Sequence, residues 1–330
     1  MGLAVLAALV VAAAGVFGLG GRADDGRDGS GPAIAVPEPL TVRVVRRLPH
    51  ARDAFTQGLV LHDGTLYEGT GLYGASTLRR VTLETGMVER RAQLPPELFG
   101  EGIALVRDRI VQLTWREGIA LVWDAERFER VGEHRYRGEG WGLCFDGRRL
   151  VMSDGSDTLV FRDPDSFEIT GRVRVRRAGR PLAHLNELEC VDDLVYANVW
   201  QSDHIARIDP RTGAVTGWID TALHPRAPEG LRLLPPELAD DDTDVLNGIA
   251  YDARSGRFLL TGKRWPELYE VQFVPRGRER SEPRSRRSPG RRPRRLPRDF
   301  GPRRASCIVA RKPSRPASAS TRIEPVCGGP

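Results

Sequence analysis

The sequence predicts an all-β protein, a five-bladed β-propeller closed by a strand from its N-terminal side. Three observations carry this prediction. Residues 40–275 contain five copies of one hairpin pattern, four copies continue into a third and a fourth strand-like run, and the last copy lacks the fourth. A ring of four-stranded blades fits this pattern because each blade buries its faces against its neighbours. A β-sandwich with irregular strands explains neither the five copies nor the missing strand.

The five hairpins share one order of parts. Small residues lead into an apolar run, a turn of the Asp-Gly kind and a second β-rich run, which is the pattern of a two-stranded hairpin. The copies read FTQGLVLHDGTLYEGTG, FGEGIALVRDRIVQLTW, EGWGLCFDGRRLVMSDG, HLNELECVDDLVYANVW and VLNGIAYDARSGRFLLTGK. The third runs read TLRRVTLETG, IALVWDAERFE, TLVFRDPDSFE, HIARIDPRTG and LYEVQFVP, and the fourth runs read MVERRAQL, RVGEHRYR, EITGRVRVR and AVTGWIDT.

The fifth copy runs into an Arg-rich tail and has no fourth run. The stretch TVRVVRRLPH precedes the first hairpin, has strand character and belongs to no copy. It is therefore predicted to supply the missing outer strand and close the ring. The insertion PEGLRLLPPELADDDTD, before the fifth hairpin, is predicted to be a long loop over one face. The propeller domain is expected to span residues 40–275.

The N-terminal segment, residues 1–23, contains an uncharged apolar run at residues 2–20. A helix of about 19 residues is about 28 Å long, close to the thickness of a bilayer core. Either the segment is an export signal that is cut off, or it stays as a membrane anchor. The alternative, a buried N-terminal helix, is disfavoured because the run has few bulky side chains. Residues 24–39 are expected to be a linker, and the protein is expected to be exported: periplasmic, extracellular or membrane-anchored.

The C-terminal tail, residues 276–330, is rich in Arg, Pro and Ser and contains 17 Lys and Arg against 4 Asp and Glu. Few apolar groups and many like charges predict a disordered segment. The net charge of +6 therefore belongs to the tail, and the rest of the chain is net acidic. The tail is interpreted as an extension without a function, with binding to nucleic acid or an anionic surface as the alternative. For the folded domain no nucleic-acid partner is expected.

In a propeller, each first strand lines the central channel and begins at the mouth where the second strand ends. Start and return positions lie 14 residues apart in the first four copies and 16 apart in the fifth, whose turn DARSG is longer. Ten positions, called the rim below, are thus predicted to converge: Gln57, Gly71, Glu101, Trp115, Trp141, Gly155, Asn186, Trp200, Asn247 and Lys263.

Two rim residues are candidates for chemistry. Of the 50 basic residues 48 are Arg, and Lys263 is the one Lys outside the tail. Because Lys offers a compact charge and a tunable pKa that Arg lacks, Lys263 is interpreted as a site residue rather than a surface charge. Glu101, between two glycines, is interpreted as a carboxylate facing the pocket. The indoles of Trp115, Trp141 and Trp200 are expected to form an apolar cup.

Other residues give weaker signals. Asp154 and Asp203 fit turn formers better than site residues. The six His residues show no metal-ligand spacing, and neither a P-loop nor a dinucleotide or G-x-S-x-G motif occurs. Cys144 and Cys190 fall on neighbouring inner strands at different offsets, so a disulfide between them is conceivable but not favoured.

The motifs FTQGL, YEGTG, GEGI, EGWGL, SDGS, LNELE, YANVW, LNGIAY and LLTGKRWP occur in this order. Together they resemble the plant-type glutaminyl-peptide cyclotransferases, or glutamine cyclotransferases, which also occur in bacteria. The resemblance covers about residues 40–275. The motifs of this chain are similar to those of the family in their order as well as in their residues. It implies a five-bladed propeller that converts the N-terminal glutamine of a peptide or protein to pyroglutamate and releases ammonia.

The resemblance also implies roles for individual residues. Glu101 would be the proton shuttle, and Gln57, Asn186 and Lys263 would bind the substrate and stabilise the tetrahedral intermediate. The pocket would be lined by Phe55, Phe99, Trp115, Trp141 and Trp200. The chemistry is expected to need no cofactor, although folds of this kind have room for a structural calcium ion in the channel, whose ligands the sequence does not assign. A monomer is expected.

Two other functions fit parts of the sequence. A secreted propeller that binds peptide ends without chemistry gives no reason for a lone lysine opposite a carboxylate. A calcium-dependent propeller hydrolase of the lactonase type needs several Asp, Glu and Asn ligands around the channel. The rim offers one acid and three tryptophans instead, which favours the cyclisation of glutamine.

Overall fold

The computed structural model describes residues 36–221 and 244–276, and every regular element in them is a β-strand. The first strand is β1 (Glu38–Pro49). The first unit contains β2 (Thr56–His62), β3 (Thr65–Thr70), β4 (Thr77–Thr82) and β5 (Met87–Gln93). The second unit contains β6 (Gly100–Val106), β7 (Arg109–Thr114), β8 (Ile119–Asp124) and β9 (Arg130–Arg135).

The third unit contains β10 (Leu143–Phe145), β11 (Leu150–Met152), β12 (Thr158–Arg162) and β13 (Ile169–Arg174), followed by a short hairpin of β14 (Arg176–Arg177) and β15 (Arg180–Pro181). The fourth contains β16 (Leu185–Val191), β17 (Leu194–Val199), β18 (His204–Asp209) and β19 (Ala214–Asp220). The fifth contains β20 (Leu246–Asp252), β21 (Arg257–Gly262) and β22 (Glu267–Pro275).

Within each unit the strands pair antiparallel in chain order. The first strands are almost wholly buried, as in β6, whereas the outer strands are exposed, as in β9. The first strands of consecutive units lie side by side, and the first strand of the fifth unit lies beside that of the first. The five units therefore follow one another in a closed order around their first strands.

The strand β1 pairs antiparallel with β22, which makes it the fourth strand of the fifth unit, as the sequence predicts. Its first four residues, Glu38–Thr41, also pair in parallel with β19 of the fourth unit. The fourth and fifth units therefore share one sheet, where the sequence predicts two separate ones. The reason is length, because β1 has 12 residues and the fourth strands of the other units have six or seven.

The apolar core is divided into five clusters, each between two consecutive units. Leu78 and Ile103, for example, bring the first and second units together, and Leu59 and Leu259 bring the first and fifth together. This arrangement explains why one unit cannot fold alone: each sheet face is covered only by its neighbour.

The first strands approach one another closely where a glycine follows the start position. A Cβ added to Gly58 would lie 2.5 Å from the backbone nitrogen of Ile103, and one added to Gly102 would lie 2.6 Å from that of Leu143. No side chain fits at these distances. The fourth unit has Glu187 at this position instead, and its carboxylate accepts hydrogen bonds from the backbone N–H groups of Leu59 and Ile249. Burial raises the pKa of Glu187 well above its usual value.

A disulfide joins Cys144 of β10 to Cys190 of β16, with the two Cα atoms 5.5 Å apart. The sequence analysis did not favour this bridge, and that expectation is wrong. The one-residue offset in sequence is compensated because β16 carries an extra residue in the bulge between Leu185 and Leu188, whereas β10 pairs with β11 without a register shift. The two first strands thus bring their cysteines to the same height.

Several sequence predictions concern parts of the chain outside the described residues. These are the apolar run at residues 2–20, most of the linker at residues 24–39, the insertion before the fifth hairpin and the tail from residue 277 onward. Within residues 36–221 and 244–276, no helix is long and apolar enough to cross a membrane.

Candidate active site

Four of the five start positions lie in a β-bulge. The register between first and second strands shifts between Thr56 and Gly58, Gly100 and Ile103, Leu185 and Leu188, and Leu246 and Ile249. The residues inside these bulges include the start positions Gln57, Glu101, Asn186 and Asn247. A bulge places an extra residue opposite one partner and redirects its side chain. The same local irregularity, repeated in four units, thus presents four polar side chains at equivalent places.

The return positions are tied to the first strands by one repeated hydrogen bond. In four units the backbone N–H of the return residue donates to the carbonyl two residues before the start position. The pairs are Gly71 to Phe55, Trp115 to Phe99, Trp200 to His184 and Lys263 to Val245, at 2.8–3.0 Å. The third unit differs, since Trp141 donates to Ser153. The predicted start-and-return register is therefore the observed one in four units.

Glu101 is buried, with 4% of its surface exposed, and its carboxylate has a polar partner. Nε2 of Gln57 donates to Oε1 of Glu101 at 3.0 Å. Nδ2 of Asn247 in turn donates to Oε1 of Gln57 at 3.0 Å and to the carbonyl of Thr56 at 2.9 Å. A chain of two amides therefore ends on the carboxylate and fixes its orientation.

Lys263 is also buried, with 6% of its surface exposed, and its Nζ lies 4.7 Å from the ring centroid of Phe55. A cation over a ring face is attracted by the ring quadrupole. Burial lowers the pKa of Lys263, against the charges of Glu101 and Asp244, which raise it. The ammonium thus lies over the ring of Phe55 in a buried setting, and the charges of two carboxylates act on it.

The pKa of Glu101 is raised well above its usual value, first because burial penalises the charged form. The charge of Lys263 acts in the opposite direction, and the charges of Glu139 and Glu117 raise the pKa further. A carboxyl group whose pKa is moved toward neutrality can both accept and donate a proton. The site therefore contains a group suited to moving a proton within one reaction.

Aromatic rings form a wall beside these polar groups. The ring centroids of Phe55 and Phe99 are 6.2 Å apart, and those of Phe99 and Trp115 are 5.5 Å apart. On the far side, Trp141 and Trp200 meet edge to face at 5.5 Å. The five predicted lining residues therefore form two groups of contacting rings, which together are called the aromatic wall below.

Asn186 is brought to the same rim by its bulge and by the third unit. Its backbone carbonyl accepts a hydrogen bond from Oγ of Ser153 at 2.7 Å, and its side chain is buried. The hydroxyl of Ser153 also accepts from the N–H of Gly142. Asn186 is thus held from the neighbouring unit, on the side of Trp141 and Trp200.

Sequence reasoning missed two polar side chains of the site. Asn247 was placed on the rim but given no role, although it orients Gln57. Glu139 was not singled out, yet its carboxylate accepts hydrogen bonds from Nε1 of both Trp115 and Trp141. The sequence signal for Glu139 is its position two residues before the start position Trp141. This signal is weak, because an exposed loop residue without a role in the site is equally common at such a position.

The two acidic side chains of β16 make hydrogen bonds with neighbouring first strands. Within residues 36–221 and 244–276, no group of three or more His, Cys, Asp or Glu side chains is placed to hold a metal ion. The two channel carboxylates of β16 instead accept backbone N–H groups, Glu187 from Leu59 and Ile249 and Glu189 from Tyr251.

Comparisons with known proteins show the family to which the chain belongs. A family model for glutamine cyclotransferases matches residues 22–273, so the chain belongs to the glutamine cyclotransferase family. It is 42% identical over 234 residues to a glutaminyl-peptide cyclotransferase of Arabidopsis thaliana, covering 70% of this chain and 71% of that protein. The crystal structure of glutaminyl cyclase from Myxococcus xanthus matches with a TM-score of 0.64 and 42% identity, covering 72% of this chain and 98% of that one.

Proposed function

We propose that the rim is the active site of a glutaminyl-peptide cyclotransferase, which converts the N-terminal glutamine of a peptide or protein to pyroglutamate and releases ammonia. The observation that carries the proposal is the buried Glu101, whose carboxylate accepts from Gln57 and is acted on by the charge of Lys263. Membership of the glutamine cyclotransferase family supports the same reaction.

The scaffold of this site is proposed to be a five-bladed β-propeller over residues 40–275. Two observations support it. The first strands contact one another in a closed order, and the five core clusters each lie between consecutive units. Propeller blades bury their faces in this way, and the rim residues then surround one mouth of the channel.

The reaction joins two groups of the same substrate residue. The unprotonated α-amine attacks the side-chain amide carbon, a C–N bond forms, and a five-membered ring closes. Because nucleophile and electrophile share one residue, the main task of the enzyme is to fold that residue into a near-attack geometry. The aromatic wall from Phe55 to Trp200 is suited to this task, since it gives the glutamine side chain a shaped, apolar place.

Glu101 is proposed to move one proton. As carboxylate it takes a proton from the attacking amine; as carboxylic acid it gives that proton to the departing nitrogen, and the C–N bond to the leaving group breaks with release of ammonia. One group serves first as base and then as acid, which fits a carboxyl with a raised pKa. The charge on Glu101 is the same before and after the reaction.

The oxygen of the tetrahedral intermediate gathers negative charge. Lys263 and an amide N–H of Asn186 or Gln57 are proposed to stabilise it, because these groups are fixed by the fold before the substrate binds. Gln57 already gives one N–H to Glu101, so its second N–H is the one left for the substrate. Burial of Lys263 strengthens its effect, since few waters compete.

This chemistry is proposed to need no cofactor, because the carboxyl, the ammonium and the amides supply proton transfer and charge stabilisation. A structural calcium ion in the channel remains a separate hypothesis of the sequence analysis. The site as described contains the groups used in every step above, and none of these steps is routed through a metal.

Export from the cytoplasm is proposed as well, with the N-terminal segment as signal or anchor. The disulfide between Cys144 and Cys190 supports it, because disulfides persist in oxidising compartments. A monomer is proposed, since the site draws its residues from the five units of one chain.

The test is incubation of the purified protein with a peptide that begins with glutamine, followed by mass spectrometry, with and without a chelator. Loss of the mass of one ammonia molecule, unchanged by the chelator, is expected. Ammonia loss abolished by the chelator and restored by calcium would mean that cyclisation depends on a bound calcium ion. No mass change in the peptide, together with calcium-dependent hydrolysis of a lactone, would favour the lactonase-type hydrolase. Binding of the peptide with no mass change would favour the peptide-binding module. A matched peptide that begins with asparagine is the substrate control.

A further inference from the structure

We infer that Glu139 is a positioning residue of this site, whose carboxylate links the two groups of rings and fixes Trp115 and Trp141 in one arrangement. The inference rests on the proposed function. Glu139 lies in the loop that leads from the second unit to the third, so its side chain connects rings that belong to different units.

The geometry shows a shared acceptor. Nε1 of Trp115 lies 2.9 Å and Nε1 of Trp141 lies 3.0 Å from the same oxygen, Oε2 of Glu139. An indole can donate a hydrogen bond only through Nε1, so the single donor of each tryptophan is bonded to this carboxylate. Two hydrogen bonds to a charged acceptor restrict both rings more than packing alone does.

The other carboxylate oxygen is held as well. Nε of Arg116 donates to Oε1 of Glu139 at 3.1 Å, and the Arg116 guanidinium lies 3.6 Å from the ring centroid of Trp115. Arg116 therefore clamps the carboxylate and covers one face of the indole at the same time. The side chain of Glu139 is 38% exposed, so the clamp closes the wall at its solvent edge.

Glu139 also completes the wall. Ring contacts join Phe55, Phe99 and Trp115 on one side and Trp141 with Trp200 on the other. Among the described residues no ring contact joins Trp115 to Trp141, and Glu139 occupies the connection between them. The side chain of Glu139 thus contacts both ring groups, in addition to the backbone hydrogen bond from Gly140 to Trp115.

The carboxylate is ionised and its charge reaches Glu101. Burial raises the pKa of Glu139, but hydrogen bonds from Trp141, Trp115 and Arg116 outweigh burial and hold it below its usual value. The resulting negative charge is one of the two that raise the pKa of Glu101. One side chain, Glu139, therefore both positions the rings and raises the pKa of Glu101. The two effects can be separated by substitution.

Two substitutions separate them. Glu139→Gln keeps an oxygen that accepts from both indoles and removes the charge, whereas Glu139→Ala removes both. Glu126 is the matched control, because its side chain is 83% exposed in the same unit and contacts neither indole. For each variant we would measure kcat and KM with a glutamine-initiated peptide across pH, and the two indole N–H resonances assigned with Trp115→Phe and Trp141→Phe.

For Glu139→Ala we expect both indole resonances to move and KM to rise about 10-fold, because two charge-assisted hydrogen bonds are lost. For Glu139→Gln we expect KM within about 3-fold of the parent and the acid limb of the kcat/KM profile at lower pH, because loss of a neighbouring negative charge lowers the pKa of Glu101. The substrate amine is common to all profiles, so a difference between them belongs to the enzyme. The Glu126 variants should match the parent.

Unmoved indole resonances together with an unchanged KM in Glu139→Ala would overturn the inference. So would an equal rise of KM in Glu139→Ala and Glu126→Ala. Failure of the proposed function has a different signature: the parent protein itself would release no ammonia, while the indole resonances would still report whether Glu139 holds the two rings.

Discussion

Nε2 of Gln57 donates a hydrogen bond to Oε1 of Glu101 at 3.0 Å, although the two residues belong to different units of the fold. Both lie in β-bulges at the start of their first strands. The relationship shows how the site is assembled: the repeat supplies equivalent positions, and contact between neighbouring repeats supplies the chemistry.

Gln57→Ala removes the donor to Glu101 and the acceptor for Asn247. We expect kcat to fall by about 10- to 100-fold, because the shuttle loses its fixed orientation and the intermediate loses a donor. Steady-state kinetics with a glutamine-initiated peptide would check this. Gln93→Ala is the control, since Gln93 is exposed on β5 and donates only to backbone carbonyls. Equal activity of both variants would remove Gln57 from the mechanism.

Lys263→Ala and Lys263→Arg should both lose activity, by about 10²-fold or more in kcat. The arginine variant should not rescue it, because the guanidinium is larger and planar and does not fit a compact site where 6% of the lysine surface is exposed. The control is Arg135→Ala, a cation with 73% of its side chain exposed. Restoration of turnover by Lys263→Arg would show that only the charge matters.

Gly71→Ala tests whether the position of the Phe99 ring in the aromatic wall matters for activity. A Cβ at Gly71 would lie 2.4 Å from Cε1 of Phe99, whose ring is confined by Phe55, Tyr73 and Trp115. We expect kcat/KM to fall by about 10- to 100-fold as the ring is displaced. Gly132→Ala is the control, because its nearest atom would be a side-chain carbon at 3.8 Å. Wild-type kinetics in both variants would contradict a wall that shapes the site.

A buried ion pair closes the ring between the first and fifth units. The two nitrogens of His50 face the carbonyl of Trp265 at 2.6 Å and Oε1 of Glu68 at 2.9 Å, and since both partners only accept, the imidazole is charged. Burial lowers the pKa of His50, and Arg79 lowers it further, but the charge and hydrogen bond of Glu68 outweigh them, so the pKa lies above its usual value. Burial raises the pKa of Glu68, but the charge of His50 outweighs it and places the pKa below its usual value.

The sign of each shift fixes the pH dependence of stability. The contribution of His50 is complete below its unfolded pKa of about 6.5 and is lost as pH rises through the raised folded pKa; that of Glu68 is complete above about 4.3 and is lost as pH falls. Stabilisation by the pair is therefore greatest from about pH 4.3 to 6.5. His50→Gln should lower the free energy of unfolding by about 3 kcal/mol at pH 5.5 and by less at pH 9, measured by urea denaturation.

His62→Gln is the control for that measurement, because His62 is 60% exposed beside Asp63. It should leave the free energy of unfolding unchanged at both pH values. A loss in His50→Gln that is the same at pH 5.5 and pH 9 would mean that the imidazole stabilises by packing and not as a cation.

Much of this arrangement could be predicted from the sequence, and the reason is repetition. A hairpin of fixed length places its two ends in register, so the spacing from Glu101 to Trp115 was enough to bring both to one rim. The rarity of lysine pointed to Lys263 because no packing rule requires lysine rather than arginine. The spacing within a hairpin predicts the structure correctly because each unit repeats the same turn and strand register.

Contacts between units could not be predicted in the same way. Whether Glu139 reaches two indoles depends on the direction of a loop side chain, and the repeat does not encode that direction. The disulfide depends on a bulge that β16 has and β10 lacks, and the parallel pairing of β1 with β19 depends on how far β1 extends past its own unit. The Glu139 contacts, the disulfide and the parallel pairing all depend on how neighbouring units are placed in three dimensions. The residue pattern along a single unit does not specify that placement.

The central claim is that Glu101 carries the proton between the attacking amine and the departing ammonia. Glu101→Gln keeps the shape of the side chain and removes its acid–base function, so kcat should fall by about 10²–10⁴-fold, with a melting temperature no lower than that of the parent. Glu168→Gln, on an exposed residue, is the control. The measurement is ammonia release from a glutamine-initiated peptide. We expect near-complete loss in Glu101→Gln and none in Glu168→Gln, and release at the parent rate by Glu101→Gln would show that Glu101 does not carry the proton.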